Sequence, residues 1–317
     1  MRLRVTHTTR YTYPLPASHS FNEVRLMPVT DETQTCLGFR LTLQPQARHF
    51  EYDLPTGKVH HFNLPYPHDS LTITAESLVE TMPNVALQSL PFYTSEQEFY
   101  NSPMRWRQNY DYLSVSPRVP HLDSIQEIAQ QVRNRTGQST VPFLLGLNHY
   151  LHSTFQYVPG TTNVNTPLSQ FLAMGRGVCQ DFAHLMLAVC RSEGIPARYV
   201  SGYLYTGAVA PEEALLYDNL EHYWTEEEEI TLHSGTPHLI SGDATHAWIE
   251  CLLPHGEWCG FDPTNNILTD THYIKVHTGR DYDDVVPVRG IYWGLASTTP
   301  QVAVHIVDVP EGQKVAK

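Results

Sequence analysis

The spacing of apolar residues changes period once along this chain, near residue 105, and that change limits the fold more than any other feature. Before it, Leu3 and Val5 alternate with charged residues. Phe39, Leu41 and Leu43 alternate with Arg40, Thr42 and Gln44, and Leu71, Ile73 and Ala75 with Thr72 and Thr74. Period two marks strands with one buried face and one wet face. Pro55-Thr56-Gly57 lies between two such segments and reads as a hairpin turn. Several short strands with turn signals predict an antiparallel β-sandwich. After residue 105 the spacing becomes helical. Ile125, Ile128, Ala129 and Val132 form one stripe, with Asp123 or Ser124 as its cap. Leu144, Leu147, Leu151 and Phe155 form a second, with Thr140 as cap and Pro142 in the first turn. A third helix runs from Gln180 to Cys190. Its apolar face is Phe182, Leu185, Met186, Val189 and Cys190, and Gly194 and Pro196 end it. Strands are expected again over 198–204, 244–253, 257–262 and 291–307. The expected class is α+β, with an antiparallel β-sandwich over 1–105 and an α+β core over 106–317 that includes the late strands.

A chain of 317 residues suits two domains, and 41% hydrophobic residues can fill their cores. Asp and Glu total 33 against 20 Lys and Arg, a net charge of −13. Nucleic acid and anionic membrane surfaces are therefore not expected partners. No signal-peptide core and no membrane-spanning stretch is evident, so the expected location is cytoplasmic. The five cysteines are odd in number and irregularly spaced, which favours free thiols over a disulfide framework. Cys251 and Cys259 could alone pair, across a hairpin. His149 and His152, like His60 and His61, lack a third ligand at a recognisable spacing. No phosphate loop or EF-hand is present, and no metal or cofactor is expected.

Two segments carry chemistry. Gly175-Arg176-Gly177-Val178-Cys179 places Cys179 in the first turn of the third helix, where the helix dipole favours a thiolate. Taken alone, Cys179 reads equally as a small buried hydrophobe. The second segment is a hairpin, 244–253 and 257–262, around Pro254-His255-Gly256. Centred on Pro254, it sets His246 directly opposite Asp262 on one face. There a carboxylate can fix the imidazole tautomer and stabilise its cation. A bulge would break this register, and singly each residue also reads as a loop cap.

Four segments together resemble the bacterial transglutaminase-like superfamily: Gly177-Val178-Cys179-Gln180-Asp181-Phe182-Ala183-His184, Arg191 through Leu204, Thr245-His246-Ala247-Trp248, and Gly260-Phe261-Asp262-Pro263-Thr264-Asn265. Gly279-Arg280-Asp281-Tyr282 through Arg289-Gly290 is similar to that family's C-terminal signature. The predicted sandwich resembles the domain that precedes the core in these bacterial proteins. The resemblance implies a papain-like thiol core with a Cys, His, Asp triad at Cys179, His246 and Asp262. It also implies acyl-thioenzyme chemistry on an amide or peptide bond of a peptide or protein substrate. Hydrolysis, as in a cysteine protease or amidohydrolase, is the leading expectation. Transamidation is the alternative, and a non-catalytic binding module is the rival from another class.

For the oxyanion, the Cys179 backbone N–H is the natural donor. The Tyr157 hydroxyl could supply a second, or Tyr157 could simply end its helix and pack. Gln180 and Asp181 adjoin the nucleophile, and Asp181 could anchor the site or only cap the helix. The stretch 206–241 has no core pattern and includes Glu226-Glu227-Glu228-Glu229. It reads as a gating loop or as a solvated acidic excursion.

Overall fold

The computed structural model describes residues 1–84, 86, 100, 102–207, 239–240, 245–294 and 299–309. The stretch expected to gate the site lies almost wholly outside these residues.

The period-two segments form two four-stranded antiparallel sheets. One has the order β15 (Gln301–Asp308), β1 (Arg2–Ala17), β6 (His68–Thr81), β3 (Gln34–Gln44). The other has the order β14 (Val288–Trp293), β2 (His19–Val24), β5 (Gly57–Leu64), β4 (His49–Leu54). Tyr13, Leu43, Leu71, Ile73, Phe62 and Leu64 fill a shared core. The alternation along β6 buries Leu71, Ile73, Ala75 and Val79 and leaves the intervening residues half-exposed. The late strands depart from the expected grouping with the core. Ile306 pairs with Val5 and Ile291 with Phe21, so β14 and β15 complete the N-terminal sheets. Sheet edges seek partners for their free N–H and C=O groups, and apolar alternation alone does not say which edge a distant strand will join.

The core is a five-stranded antiparallel sheet in the order β12 (Ile267–Leu268), β11 (Trp258–Asp262), β10 (His246–Leu252), β9 (Ala197–Leu204), β13 (Tyr273–Gly279). Among the described residues, the helices of seven residues or more are α1 (Asp123–Thr136), α2 (Thr140–Thr154), α3 (Leu168–Met174) and α4 (Cys179–Ser192). Helix α1 begins at Asp123 with Leu122 as its cap, and α2 begins at Thr140 with Ser139 as its cap. Neither N-cap residue makes a side-chain cap bond, and the expected caps, Asp123 or Ser124 and Thr140, stand inside the helices instead. Helix α4 is buried on every side from Gln180 to Arg191, not along one stripe. It is packed between the sheet residues Ala197, Ala247, Ile249 and Cys251 and the apolar faces of α1 and α2. A central helix has no wet face to mark in its sequence. Among the described residues, no helix is long and apolar enough to cross a membrane.

Sandwich and core are joined by a buried ionic cluster. Lys275 on β13 meets Asp31 at 2.7 Å and also Glu250 on β10, while Arg198 on β9 reaches Glu250 at 2.6 Å. Gln34 of β3 donates to the Lys275 carbonyl at 2.7 Å and accepts from the Lys275 N–H at 2.7 Å.

Candidate active site

Cys179 is the first residue of α4 and is half-buried. Two glycines shape its approach. Gly175 closes α3 in the left-handed conformation at φ 65°. At Gly177 a β-carbon would sit 2.5 Å from Asp181 Oδ2 and 2.7 Å from Phe171, so only glycine allows this close passage. Asp181 Oδ2 accepts the Val178 N–H at 2.8 Å and the Thr162 hydroxyl at 2.5 Å. Burial pushes its carboxyl up, partly offset by those two donors. Asp181 therefore closes the start of α4 and ties it to the 162 loop. Gln180 is buried beside it. Tyr157 does not end a helix. It stands in a two-residue strand, β7 (Gln156–Tyr157), paired in parallel with β8 (Arg176–Gly177), just before the cysteine.

His246 opens β10, and Asp262 closes β11. Both are buried, and His246 Nε2 meets Asp262 Oδ2 at 2.7 Å. The hairpin register differs from the one expected. Cys251 faces Cys259, Glu250 faces Gly260 and Ile249 faces Phe261, so continuing the ladder puts Trp248, not His246, opposite Asp262. The loop runs 253–256, with Gly256 N donating to Leu253 O, and displaces the pairing by two residues. Two residues is one full pleat, so both side chains keep the same face and meet along the diagonal. The Trp248 indole stacks 6.1 Å from the His246 ring. It can lie there because Gly202 beneath it has no β-carbon, which would come within 2.4 Å of the indole.

Asp262 is held by more than His246. The Tyr273 hydroxyl and the Asn265 side-chain amide each donate to Oδ2 at 2.7 Å. The backbone N–H groups of Thr264 and Asn265 donate to Oδ1 at 2.9 and 3.3 Å. This Asx-type turn is completed by Asn266 at φ 55°, a conformation asparagine tolerates. Burial acts to raise the Asp262 carboxyl, but His246, Asn265 and Tyr273 outweigh it and hold it below the usual range. For His246, burial would lower the imidazole. The charge and hydrogen bond of Asp262, and then the influence of the neighbouring Cys179 thiol, overcome this and raise it to about 10. The remaining ring nitrogen, Nδ1, is buried without a protein hydrogen-bond partner. The Cys179 thiol is thus among the imidazole's immediate neighbours.

Sequence reasoning missed Tyr273, which lies on the strand beyond β9 from His246, and gave Asn265 no role although it falls in a quoted motif. His149 and His152 each turn to the 264–266 segment. His149 Nδ1 lies 3.3 Å from the Asn266 amide and His152 donates to the Thr264 carbonyl at 2.9 Å. Among the described residues, no group of three or more His, Cys, Asp or Glu could hold a metal ion.

Residues 126–263 match the Transglutaminase-like superfamily, and residues 3–80 match the Bacterial transglutaminase-like N-terminal region. An uncharacterized protein of Mycobacterium leprae is 35% identical over 315 residues, covering 96% of this chain and 98% of its own. A protein-glutamine gamma-glutamyltransferase of Pseudomonas aeruginosa is 26% identical over 169 residues, 52% of this chain and 21% of that protein. A crystal structure from Cytophaga hutchinsonii, provisionally named a cysteine protease, superposes with a TM-score of 0.66 at 20% identity. It covers 100% of this chain and 94% of the other, and it shows a shared fold.

Proposed function

We propose, from the premise that this chain belongs to the transglutaminase-like superfamily, that it is a thiol acyl-transfer enzyme in which Cys179, His246 and Asp262 cleave an amide or peptide bond. One observation carries the reading. A buried imidazole has one nitrogen held by a carboxylate at 2.7 Å, the other without a partner, and a helix-start thiol as the neighbour that raises its proton affinity.

In this reading the Cys179 sulfur attacks the substrate carbonyl as thiolate. The developing oxyanion meets the Cys179 backbone N–H, one of the donors that a helix start leaves without an intrahelical acceptor. Tyr157, beside the Gly177 strand, is the candidate second donor. Protonated His246 gives its proton to the leaving amine as the C–N bond breaks, which leaves an acyl-thioenzyme and a neutral imidazole. Asp262 keeps the ring oriented and its charge compensated throughout. Neutral His246 then takes a proton from the attacking water, and collapse of the tetrahedral intermediate releases the acid and returns Cys179 to thiolate and His246 to its protonated form. Hydrolysis of a peptide or protein is the proposed outcome. Transamidation, in which an amine takes the place of water, is the second reading, favoured by the name of the Pseudomonas relative.

The test is alkylation with iodoacetamide from pH 5 to 9, mapped by mass spectrometry, in wild type and His246→Ala. Cys179 should label fastest, and loss of His246 should slow that labelling at neutral pH. A Cys179 that reacts as an ordinary thiol and ignores His246 would sink the proposal. With reactivity established, product analysis with and without added amine separates the two outcomes.

A further inference from the structure

Beside the nucleophile helix lies a cavity of about 300 Å³, open to solvent on one side. Its walls belong to the same elements that carry the candidate triad. Tyr157 and Val158 come from the strand that pairs with Arg176–Gly177 and its continuation. Phe182 lies on α4 one turn after Cys179. Thr264 holds Asp262 Oδ1 through its own N–H. Apart from Tyr157, the candidate second oxyanion donor, the chemistry proposed for Cys179, His246 and Asp262 makes no use of this lining.

The body of the cavity is apolar. Phe155 and Phe182 meet edge to face, 6.4 Å between centroids, with Val158 beside them. Polar residues line it as well: His152, Gln156, Tyr157 and Thr264. Thr264 is 1% exposed, and its hydroxyl oxygen is buried with no hydrogen-bond partner. The same residue's N–H and C=O are both engaged, by Asp262 and by His152. Buried hydroxyls normally find partners, because leaving one unpaired forfeits its hydration. A group bound in the cavity can supply that partner.

We propose that this cavity receives a side chain from the acyl part of the substrate, selecting an aromatic body tipped with a hydrogen-bonding group that pairs with the Thr264 hydroxyl. Tyrosine has both features. The inference rests on the reading of Cys179 as nucleophile. The volume is at the low end for ligand pockets, about 300–1,000 Å³, which suits one side chain. The lining holds no Lys or Arg to pair a desolvated carboxylate and no Asp or Glu to pair an ammonium, so charged side chains are disfavoured. A methyl group would leave the walls uncovered.

The experiment uses peptidyl vinyl sulfones that share one scaffold and carry Tyr, Phe, Leu, Ala or Glu at the residue bearing the electrophile. The Cys179 sulfur adds to the alkene carbon β to the sulfone, next to the residue that carries the side chain, and the carbon α to the sulfone takes a proton, so labelling needs no further reactant. Rates are read by intact mass, with iodoacetamide as the reference without a side chain. Phe should exceed Ala by about 10- to 100-fold, as burial of a large apolar side chain implies. Tyr should exceed Phe by about three- to tenfold, the range of one added hydrogen bond. Thr264→Val should erase the Tyr-to-Phe ratio. That ratio is internal to each variant, so any general loss from disturbing Asp262 cancels. Val158→Trp should bring the Tyr, Phe and Leu rates down to that of Ala. Equal rates for all five probes on a Cys179 that takes iodoacetamide rapidly would overturn the subsite and leave the nucleophile intact. Survival of the Tyr-to-Phe ratio in Thr264→Val would overturn the role of the hydroxyl. A Cys179 sluggish even toward iodoacetamide would remove the nucleophile, and the subsite with it.

Discussion

Replacing Asp262 by alanine should convert His246 from a cation to a neutral base at pH 7. In the native protein the carboxylate accepts from His246, Asn265, Tyr273 and the backbone of Thr264 and Asn265. His246 rises from 6.5 to about 10. At about 1.36 kcal/mol per tenfold change in proton affinity, that is roughly 5 kcal/mol in favour of the imidazolium. Burial works in the opposite direction and is the largest influence on the ring. With Asp262 gone, Cys179 is the one remaining favourable neighbour, so the imidazole should titrate below 6.5. Asparagine cannot substitute. However its amide is turned, the NH2 faces donors: the Thr264 and Asn265 N–H groups on one side, or His246, Asn265 and Tyr273 on the other. Both variants should lose about 3–5 kcal/mol of stability, the usual consequence of unpairing a buried charge. The native ring's value lies above that of the unfolded chain. Its contribution is therefore complete below pH 6.5 and fades as pH rises toward about 10. In the alanine variant the value lies below the unfolded one, so that protein gains stability as pH rises through this lower range. The gap in stability should be widest in mild acid and narrow in alkali. NMR of the ring Cε1–H from pH 4 to 10, assigned with His246→Gln, reads the titration directly. A His246 signal that still titrates above pH 8 in Asp262→Ala would refute the electrostatic argument.

Three other outcomes follow from the same geometry. Tyr273→Phe removes one donor to a buried carboxylate and should cost about 1.5–3 kcal/mol in urea unfolding; an unchanged midpoint would mean that the 2.7 Å contact contributes nothing. Gly202→Ala should yield insoluble or unfolded protein, because its β-carbon would lie 2.1 Å from the Ile274 carbonyl oxygen and 2.4 Å from Trp248; a soluble variant with native circular dichroism would contradict this. In native protein, a thiol reagent should modify Cys179 first and Cys36 slowly, since burial raises the Cys36 thiol, and should spare Cys190, Cys251 and Cys259 until denaturant is added; mass mapping of early labels checks the order.

The geometry of the candidate site was legible in the sequence where local rules govern it. Gly175 and Gly177 announced a tight approach to a helix start, and the backbone angles and close contacts there require them. The hairpin joined His246 to Asp262 for a more forgiving reason. The loop moved the register by two residues, and a side-chain period of two makes such an error harmless to the choice of face. A slip of one would have sent Asp262 to the other side. What was not legible depends on contacts between distant parts of the chain. Tyr273 reaches Asp262 from a strand that is sequentially after it but lies beyond β9 in the sheet, and no local pattern encodes that order. The ring of burial around α4 arises from layers on both sides, so the single apolar face read from the sequence left out His184 and Arg191, which are buried as well. The late strands carried apolar alternation but no indication that their partners stood almost three hundred residues earlier.

That last pairing changes what the N-terminal sheets can be said to do. A cut near residue 105 would strand β14 and β15 without the neighbours that satisfy their backbone, so it would not isolate the core. The sandwich also lies against the face of the core sheet that carries the histidine. His246, Trp248 and Glu250 alternate onto that face of β10. Thr33, Gln34 and Asn84 from the sandwich side share a narrow space with Trp248, Glu250 and Tyr273. Asp31 grips Lys275, two residues from Tyr273 on the same strand, and Tyr273 grips Asp262. Removing the sandwich would admit water to the ionic cluster and to the back of the His246–Asp262 pair, where the dielectric response sets how strongly the two charges act on each other. Any role of the sandwich in binding a partner has to be probed by substitutions on its outer face, because deletion would alter the electrostatics of the candidate site at the same time.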